Sequence, residues 1–354
     1  MREKGVSTLK IAGTYIGTVV GAGFATGQEV LQFFTRFGIR GLTGIIITTV
    51  LFIFFGFIIM NLGNILHAKS HLEIIQYSGG KIIGSMIDLV ITIFLFGTFS
   101  VMIAGNGALF EQQFNLPPSV GNVVMAVLTA LTVLTGINGV INSISFVVPF
   151  LLSTVIITSI FSASKYPANI MTINEVTWGS GLFNNWFLAA ILYVSYNSVI
   201  SIAILGPLGN QAGSKKSIRN GAILGGLGLG LGSLMIYIAL SGHIANIETL
   251  EVPMIHIAGT ISPILQAIYS IVLIAEIYTT AVSSLYGFTA RVIDIQKKPV
   301  KGRYIVAGAT IVALISSGFG FSNLVKYLYP LVGYCGIIIL SAIVFNIIRG
   351  KTTN

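Results

Sequence analysis

Ten apolar stretches, each near or above the length of a bilayer-spanning helix, run through this sequence and leave little chain for anything else. They cover roughly residues 8–35, 42–66, 82–112, 119–137, 141–162, 183–208, 220–242, 261–291, 303–319 and 323–348. About 20 mostly apolar residues carry a helix across the hydrocarbon, and tilted or interrupted segments use more. The eighth stretch is long enough to tilt or to project beyond the bilayer, and the ninth is short. Charged residues make up only 8% of the chain, against about 25% in soluble domains. So few charges cannot cover a surface facing water, so most of the surface faces lipid. The alternation of barrel strands is absent. The expectation is an all-α integral membrane protein, a single polytopic domain over residues 1–354. No loop is large enough for a soluble catalytic domain.

The net charge of +9 does not point to nucleic acid, because the basic residues fall in short runs between apolar stretches. Placing the amino terminus inside and crossing ten times gathers fifteen of the nineteen lysines and arginines on the inner side. These are Arg2, Lys4, Lys10, Lys69, Lys81, Lys215, Lys216, Arg219, Arg291, Lys297, Lys298, Lys301, Arg303, Arg349 and Lys351. Arg36, Arg40, Lys165 and Lys326 remain outside. Positive residues stay on the cytoplasmic side, so a multi-pass protein of the cell membrane with both termini cytoplasmic is expected. The first stretch has signal-like flanks, but Thr14, Tyr15 and Thr18 interrupt its apolar run, so it is read as a retained span. The single cysteine, Cys335, excludes an intramolecular disulfide and reads as apolar filler. His67 and His71 are four apart, with no further ligand pattern joining them. Residues 67–81 suit a short interfacial helix, and Gly242 to Thr260, with Glu248, Glu251 and Pro253, suits a cap over an outer vestibule.

Glycine or polar backbone near the middle of a span points to a transport site, because unwound backbone survives in hydrocarbon only where protein, ions or substrate supply partners. The first stretch contains Gly21-Ala22-Gly23-Phe24-Ala25-Thr26-Gly27, followed at once by Gln28-Glu29. The sixth contains Tyr193-Val194-Ser195-Tyr196-Asn197-Ser198. Breaks are expected in both. The glycines of the seventh stretch, Gly221, Gly225, Gly226, Gly228, Gly230 and Gly232, come with almost no polar side chains and read as close helix packing. Spans one and six hold corresponding places if ten spans divide into five plus five. Five crossings reverse the direction of entry, so the two halves, about 8–162 and 183–348, form an inverted repeat.

The eighth stretch carries Glu276, Thr280, Ser283 and Ser284 at i, i+4, i+7 and i+8, one polar stripe on a helix. An ionisable residue within a span faces a cavity or a partner, and hydroxyl and carbonyl oxygens suit a small hard cation such as sodium. Glu276 has three open roles: a proton carrier, a cation ligand, or a structural carboxylate satisfied by hydroxyls. Asp88 and Glu111 stand near the two ends of the third stretch, where they reach an interface or pair locally, and Glu29 follows the first break, placed to support the second half-helix or to line the outer path.

The run from Gly13 to Glu29 (GTYIGTVVGAGFATGQE) resembles the opening of the YkvI-type bacterial membrane proteins. By span count and break position, nearly the whole chain resembles the amino acid–polyamine–organocation superfamily with its LeuT-type five-plus-five fold. The resemblance implies a sodium ion held by Gly17 and Val20 carbonyls together with Thr280, Ser283 and Ser284. It implies substrate contacts at Ala22, Gly23 and Phe24 in the first break and at Ser195, Tyr196 and Asn197 in the sixth span. Tyr193 and Phe99 become aromatic wall or gate positions. Glu276, and a hydroxyl at Ser283 where the family commonly has threonine, depart from that pattern and leave the ion open.

The expected function is secondary active transport, sodium-coupled symport of a small amino acid or related zwitterionic metabolite by alternating access, with sodium as coupling ion and no other cofactor. Proton coupling through Glu276 is the alternative, as is a ligand receptor on a transporter scaffold. A channel would need a continuous polar pore, and an enzyme a nucleophile, paired-carboxylate site or metal cluster; neither pattern emerges.

Overall fold

Within hydrocarbon each backbone N–H and C=O must find its partner inside the protein, and an apolar stretch does this by closing its own helical bonds. The computed structural model describes residues 5–68, 70–134, 147–167, 181–293 and 299–349. The first stretch is three pieces: α1 (Thr8–Val19), α2 (Ala22–Ala25) and α3 (Gln28–Phe33). Then come α4 (Ile39–Ile65), α5 (His71–Phe114), α6 (Pro118–Leu134), α7 (Val147–Lys165), α8 (Trp186–Asn210) and α9 (Lys215–Ser241). Two short helices, α10 (Ile244–Ile247) and α11 (Pro253–Ile261), precede α12 (Pro263–Val292), α13 (Pro299–Ser317) and α14 (Phe321–Ile348). Among the described residues, seven helices are long and apolar enough to cross a membrane, with two shorter apolar ones at Pro118–Leu134 and Pro149–Lys165. The expected end of the fourth stretch and start of the fifth lie outside the described residues. So do residues 168–180 and 294–298, and Arg2, Lys4, Lys69 and Lys351.

Local signals set the boundaries. The Asn185 side chain accepts bonds from Phe187 and Leu188 N–H at 2.7 and 3.3 Å and so caps α8. Ser214 caps α9 through Ser217 N–H at 3.1 Å. Ser262 caps α12 through Ile264 N–H at 3.2 Å, with Pro263 in the first turn, where its missing N–H costs nothing. The helix labelled α5 turns at Gly80, whose φ of 67° separates a short segment after His71 from the span beginning at Gly84. On α4, Ile46, Val50 and Phe54 form an exposed apolar face while Ile45, Phe52 and Ile59 are buried. Apolar side chains thus point both inward and outward, as lipid requires.

One group of packed helices comprises α1, α4, α8 and α9. A second gathers α6, α12 and α13 around α5, with α7 bridging α9 and α12 and α14 bridging α5 and α8. The glycines of α9 are sockets. Gly221, Gly225 and Gly228 receive Ile11, Tyr15 and Ile16 of α1, Gly232 receives Phe24, and Gly226 and Gly230 face Ile53 and Thr49 of α4.

The expected break in the sixth stretch is not there: α8 is helical from Trp186 to Asn210. Two of its polar side chains bond back to the helix itself. Asn197 Nδ2 donates to the Tyr193 carbonyl at 3.0 Å and Ser201 Oγ to the Asn197 carbonyl at 2.7 Å. Such back-bonding makes a polar residue tolerable mid-helix without unwinding, and no glycine adjoins the hexamer to lower the cost of a break.

Gly225→Val and Gly226→Val drive methyls into Tyr15 and Ile53, and each is expected to cost about 1–3 kcal/mol as overpacking. Gly308 of α13 has open space where a side chain would stand. Gly308→Ala is therefore expected to raise stability by about 0.5–1 kcal/mol. Thermal melts in detergent compare the three; equal melting temperatures would remove the socket role of α9.

Candidate functional site

The first stretch breaks twice. The Val20 N–H still bonds the Ile16 carbonyl at 2.8 Å, but Gly21 is extended, with φ −132° and ψ −173°, and ends the helical run. Gly27, at φ 85°, makes the second turn in a region that side-chain-bearing residues rarely enter. Helix ends leave carbonyls at the C-terminus and N–H groups at the N-terminus without helical partners. The last turn of α1 therefore offers free carbonyls in the middle of the protein.

These groups open on a cavity of about 380 Å³, walled by Gly17 to Gly23 and Glu29, by Phe94 and Thr98 of α5, and by Tyr196 and Asn197 of α8. Glu276, Thr280, Ser283 and Ser284 of α12 and Tyr329 of α14 belong to the same wall. A Cβ on Gly21 would stand 3.9 Å from Thr280 Oγ1, so the α1 break faces the polar stripe of α12. Ser283 Oγ donates to the Thr279 carbonyl at 2.6 Å, leaving its lone pairs free to accept. Thr280 Oγ1 donates to Glu276 Oε1 at 3.4 Å. Glu276 is 3% exposed and its Oε2 has no hydrogen-bond partner.

Of the expected substrate residues, Ala22, Gly23, Tyr196 and Asn197 lie on this wall, and Gly17, Val20, Thr280, Ser283, Ser284 and Glu276 share it. Four others do not. Phe24 is fully buried and packs on Gly232 of α9. Tyr193 sits in an aromatic cluster, its ring centroid 4.9 Å from Phe34 and 5.5 Å from Phe33. Phe99 is fully buried off the wall. Ser195 lines a separate apolar cleft with Leu51 and Ile337, because one helical step turns it about 100° from Tyr196. An unbroken α8 presents one face to the cavity, and only Tyr196, Asn197 and the residues a turn or two further on share it.

Glu29 is the residue missing from the expected set. It is buried, its Oε2 accepts from Tyr196 Oη at 2.6 Å, and its carboxylate lies over Gly23, where any side chain would collide with it. The signal was available: a carboxylate inside an apolar stretch, the criterion that singled out Glu276. Tyr329 and Phe94 carried no such mark, since aromatic residues are common in apolar spans.

Beyond Gly23 the broken stretch is tied to neighbouring segments by a set of hydrogen bonds. Gln28 Nε2 donates to the Leu250 carbonyl at 2.6 Å and to Ser322 Oγ at 2.9 Å, and Met254 N–H to the Thr26 carbonyl at 3.1 Å. Tyr269 Oη donates to the Ala25 carbonyl at 2.6 Å. Glu251 accepts from Phe321 N–H at 3.0 Å, while burial pushes its carboxyl above the usual range. At one end the cavity wall reaches Arg291, which is paired with Asp88 and bonded to His71 at 3.1 Å. Val6 N–H donates to the Gln211 carbonyl at 3.0 Å, tying the start of the chain to the end of α8.

No family model matches the chain. Among solved structures it is similar to the inward-facing conformation of Mhp1, at TM-score 0.66 and 13% identity over 95% of this chain and 76% of that one. It is similar to MhsT in complex with L-phenylalanine, at TM-score 0.62 and 17% identity over 96% and 89%. A Na⁺-coupled sialic acid symporter gives TM-score 0.59 and 16% identity over 96% and 79%. The chain therefore has the fold of LeuT-type transporters. Two curated relatives, both from Bacillus subtilis (strain 168), match nearly end to end. The membrane protein YkvI is 32% identical over 353 residues, 97% of each chain, and YyaD is 26% identical over 339 residues, 95% of this chain and 96% of that one. The chain belongs to the YkvI family.

His71 lies before the Gly80 turn, outside the span. Burial lowers its pKa, the Asp88 hydrogen bond opposes this, and the Arg291 charge adds to the lowering. A histidine with a depressed folded-state pKa stabilises the fold while neutral. That stability is lost as pH falls through the ordinary imidazole value and then the depressed one. Melting temperature is therefore expected to fall between about pH 7.5 and pH 5.5, and to fall less in His71→Gln. Identical pH profiles for the two proteins would exclude His71 as the source.

Proposed function

We propose that the protein is a secondary active transporter that carries a small amino acid or related zwitterionic metabolite by alternating access, coupled to sodium. The observation that carries this reading is the meeting of the α1 break with Thr280, Ser283 and Ser284 on one cavity wall. The free carbonyls of the last α1 turn, those of Gly17 and Val20 among them, and the hydroxyls of α12 are hard oxygen donors of the kind that hold a small cation. The fold adds support: Mhp1 is a nucleobase-cation-symport-1 family transporter, and another structure of similar fold is that of a Na⁺-coupled sialic acid symporter.

Seven long helices, two shorter apolar ones and the broken first stretch make ten crossings, which divide five and five as an inverted repeat. Ala22, Gly23, Tyr196 and Asn197 contact the substrate. The group of α1, α4, α8 and α9 rocks against the rest, with the hydrogen bonds around Gln28 and Glu251 closing the outer side and Arg291 standing at the inner mouth. Both termini lie in the cytoplasm.

Proteoliposome uptake of radiolabelled amino acids, with sodium or choline as the external cation, tests the coupling. Ser283→Ala combined with Ser284→Ala is expected to raise the half-saturating sodium concentration by about tenfold or more, the scale of losing polar contacts to a charge. Uptake indifferent to both sodium and the double substitution would remove sodium from the mechanism.

Proton coupling through Glu276 is a second reading, favoured by its buried Oε2 without a partner. A protonated carboxyl is the form that low dielectric prefers. Glu276→Gln is then expected to abolish the pH dependence of uptake. Retained pH dependence in that variant would exclude Glu276 as the carrier.

A further inference from the structure

The charges on the cavity wall are lopsided. Among the described lining residues, Glu29 and Glu276 are the acids and Arg291 is the one basic side chain. Arg291 stands at one end of the cavity, where its guanidinium is taken up by Asp88 and His71. The middle therefore holds two buried carboxylates and no facing cation. An ionised carboxylate in such surroundings is costly unless a positive charge meets it. Glu29 has the Tyr196 hydroxyl at 2.6 Å, and Glu276 has Thr280 at 3.4 Å on one oxygen and nothing on the other.

Beside Glu29 the wall is aromatic. Phe94, Tyr196 and Tyr329 come from three different helices, yet the Tyr196 and Tyr329 ring centroids are 4.9 Å apart. Phe94 lies 5.7 Å from Tyr329 and 6.4 Å from Tyr196. All three rings line the same cavity as the carboxylate. Ring faces carry negative charge density and attract ammonium groups most strongly where water is excluded. Carboxylate and rings together suit a cation that offers N–H on one side and carbon on the other.

We propose that Glu29, Tyr196, Phe94 and Tyr329 form a binding subsite for the protonated amine of a small organic cation. The ammonium donates to the Glu29 carboxylate, and its alkyl part lies against Phe94 and Tyr329. Tyr196 holds the carboxylate in place, and Glu276 remains for the coupling cation. A carboxylate on the ligand would face Glu29 and Glu276 at this subsite, so the amine end of a zwitterion turns toward Glu29 and its carboxylate away, and an amine or amino amide without that carboxylate binds more tightly. Naming this ligand as cargo rests on the transport reading; the subsite itself does not.

The test is calorimetric binding to the purified full chain in detergent with four probes of matched size: propylamine, L-alaninamide, L-alanine and propionate. Propylamine and L-alaninamide are expected to bind, L-alanine about tenfold more weakly than its amide, and propionate not at all. Glu29→Gln is expected to weaken the two cations by about tenfold or more, the effect of one charge-assisted hydrogen bond. Tyr329→Leu acts without touching the carboxylate and is expected to weaken them by about threefold or more. Binding by neither cation, equal binding of L-alanine and its amide, or unchanged propylamine affinity in both variants would overturn the subsite. Flux is read separately in proteoliposomes. Amine binding with no flux of either the amines or L-alanine would refute transport and leave the subsite standing, whereas flux of L-alanine indifferent to Glu29→Gln would refute the subsite and leave transport standing.

Discussion

Hydrogen bonding of the backbone inside hydrocarbon is the constraint from which the rest of this structure follows. The chain interrupts its first apolar stretch after Val20 and again at Gly27, and each interruption frees groups that lipid cannot satisfy. Tyr269 reaches the Ala25 carbonyl, Met254 N–H reaches the Thr26 carbonyl, and Gln28 ties the third piece to Leu250 and Ser322. The segment around Glu251 is held where it is because the broken helix supplies its partners. The glycines of α9 let the broken pieces come close enough for those bonds to form.

Most of the architecture was legible because each apolar stretch has one low-cost solution in a bilayer. The ten stretches correspond to helices or helix pieces within a few residues wherever the chain is described. The two suspected breaks were harder to separate. Three glycines between Gly21 and Gly27 remove the steric bar to non-helical backbone, whereas Tyr193 to Ser198 offers polarity without glycine. Polarity alone did not open the helix, because Asn197 and Ser201 found acceptors one turn back.

The same difference explains which of the expected residues reach the cavity wall. Positions fixed by helical period, Glu276, Thr280, Ser283 and Ser284, share a wall because a straight helix keeps i, i+4, i+7 and i+8 together. Assignments that needed α8 unwound sent Ser195 and Tyr193 to the wrong side. Glu29 escaped because its place depends on the turn at Gly27, which swings α3 back over Gly23. No helical periodicity predicts the outcome of such a turn. The aromatic wall of Phe94, Tyr196 and Tyr329 likewise draws on three helices far apart in sequence.

An unbroken α8 beside a broken α1 makes the two helices at the heart of the protein mechanically unequal. Continuous hydrogen bonding from Trp186 to Asn210 gives α8 the stiffness of a strut, with Pro207 the one place near its end where a ladder bond is missing. The joints at Gly21 and Gly27 interrupt the helical ladder of the first stretch, as nothing does between Trp186 and Gly206 of α8. Tyr196 and Asn197 then travel as part of a rigid body, while the carbonyls of α1 and the carboxylate of Glu29 can shift relative to one another. The cavity thus has one wall on a continuous helix and the facing one on a jointed stretch, so small adjustments to what lies within it fall to the joints even where the two helices move as one group.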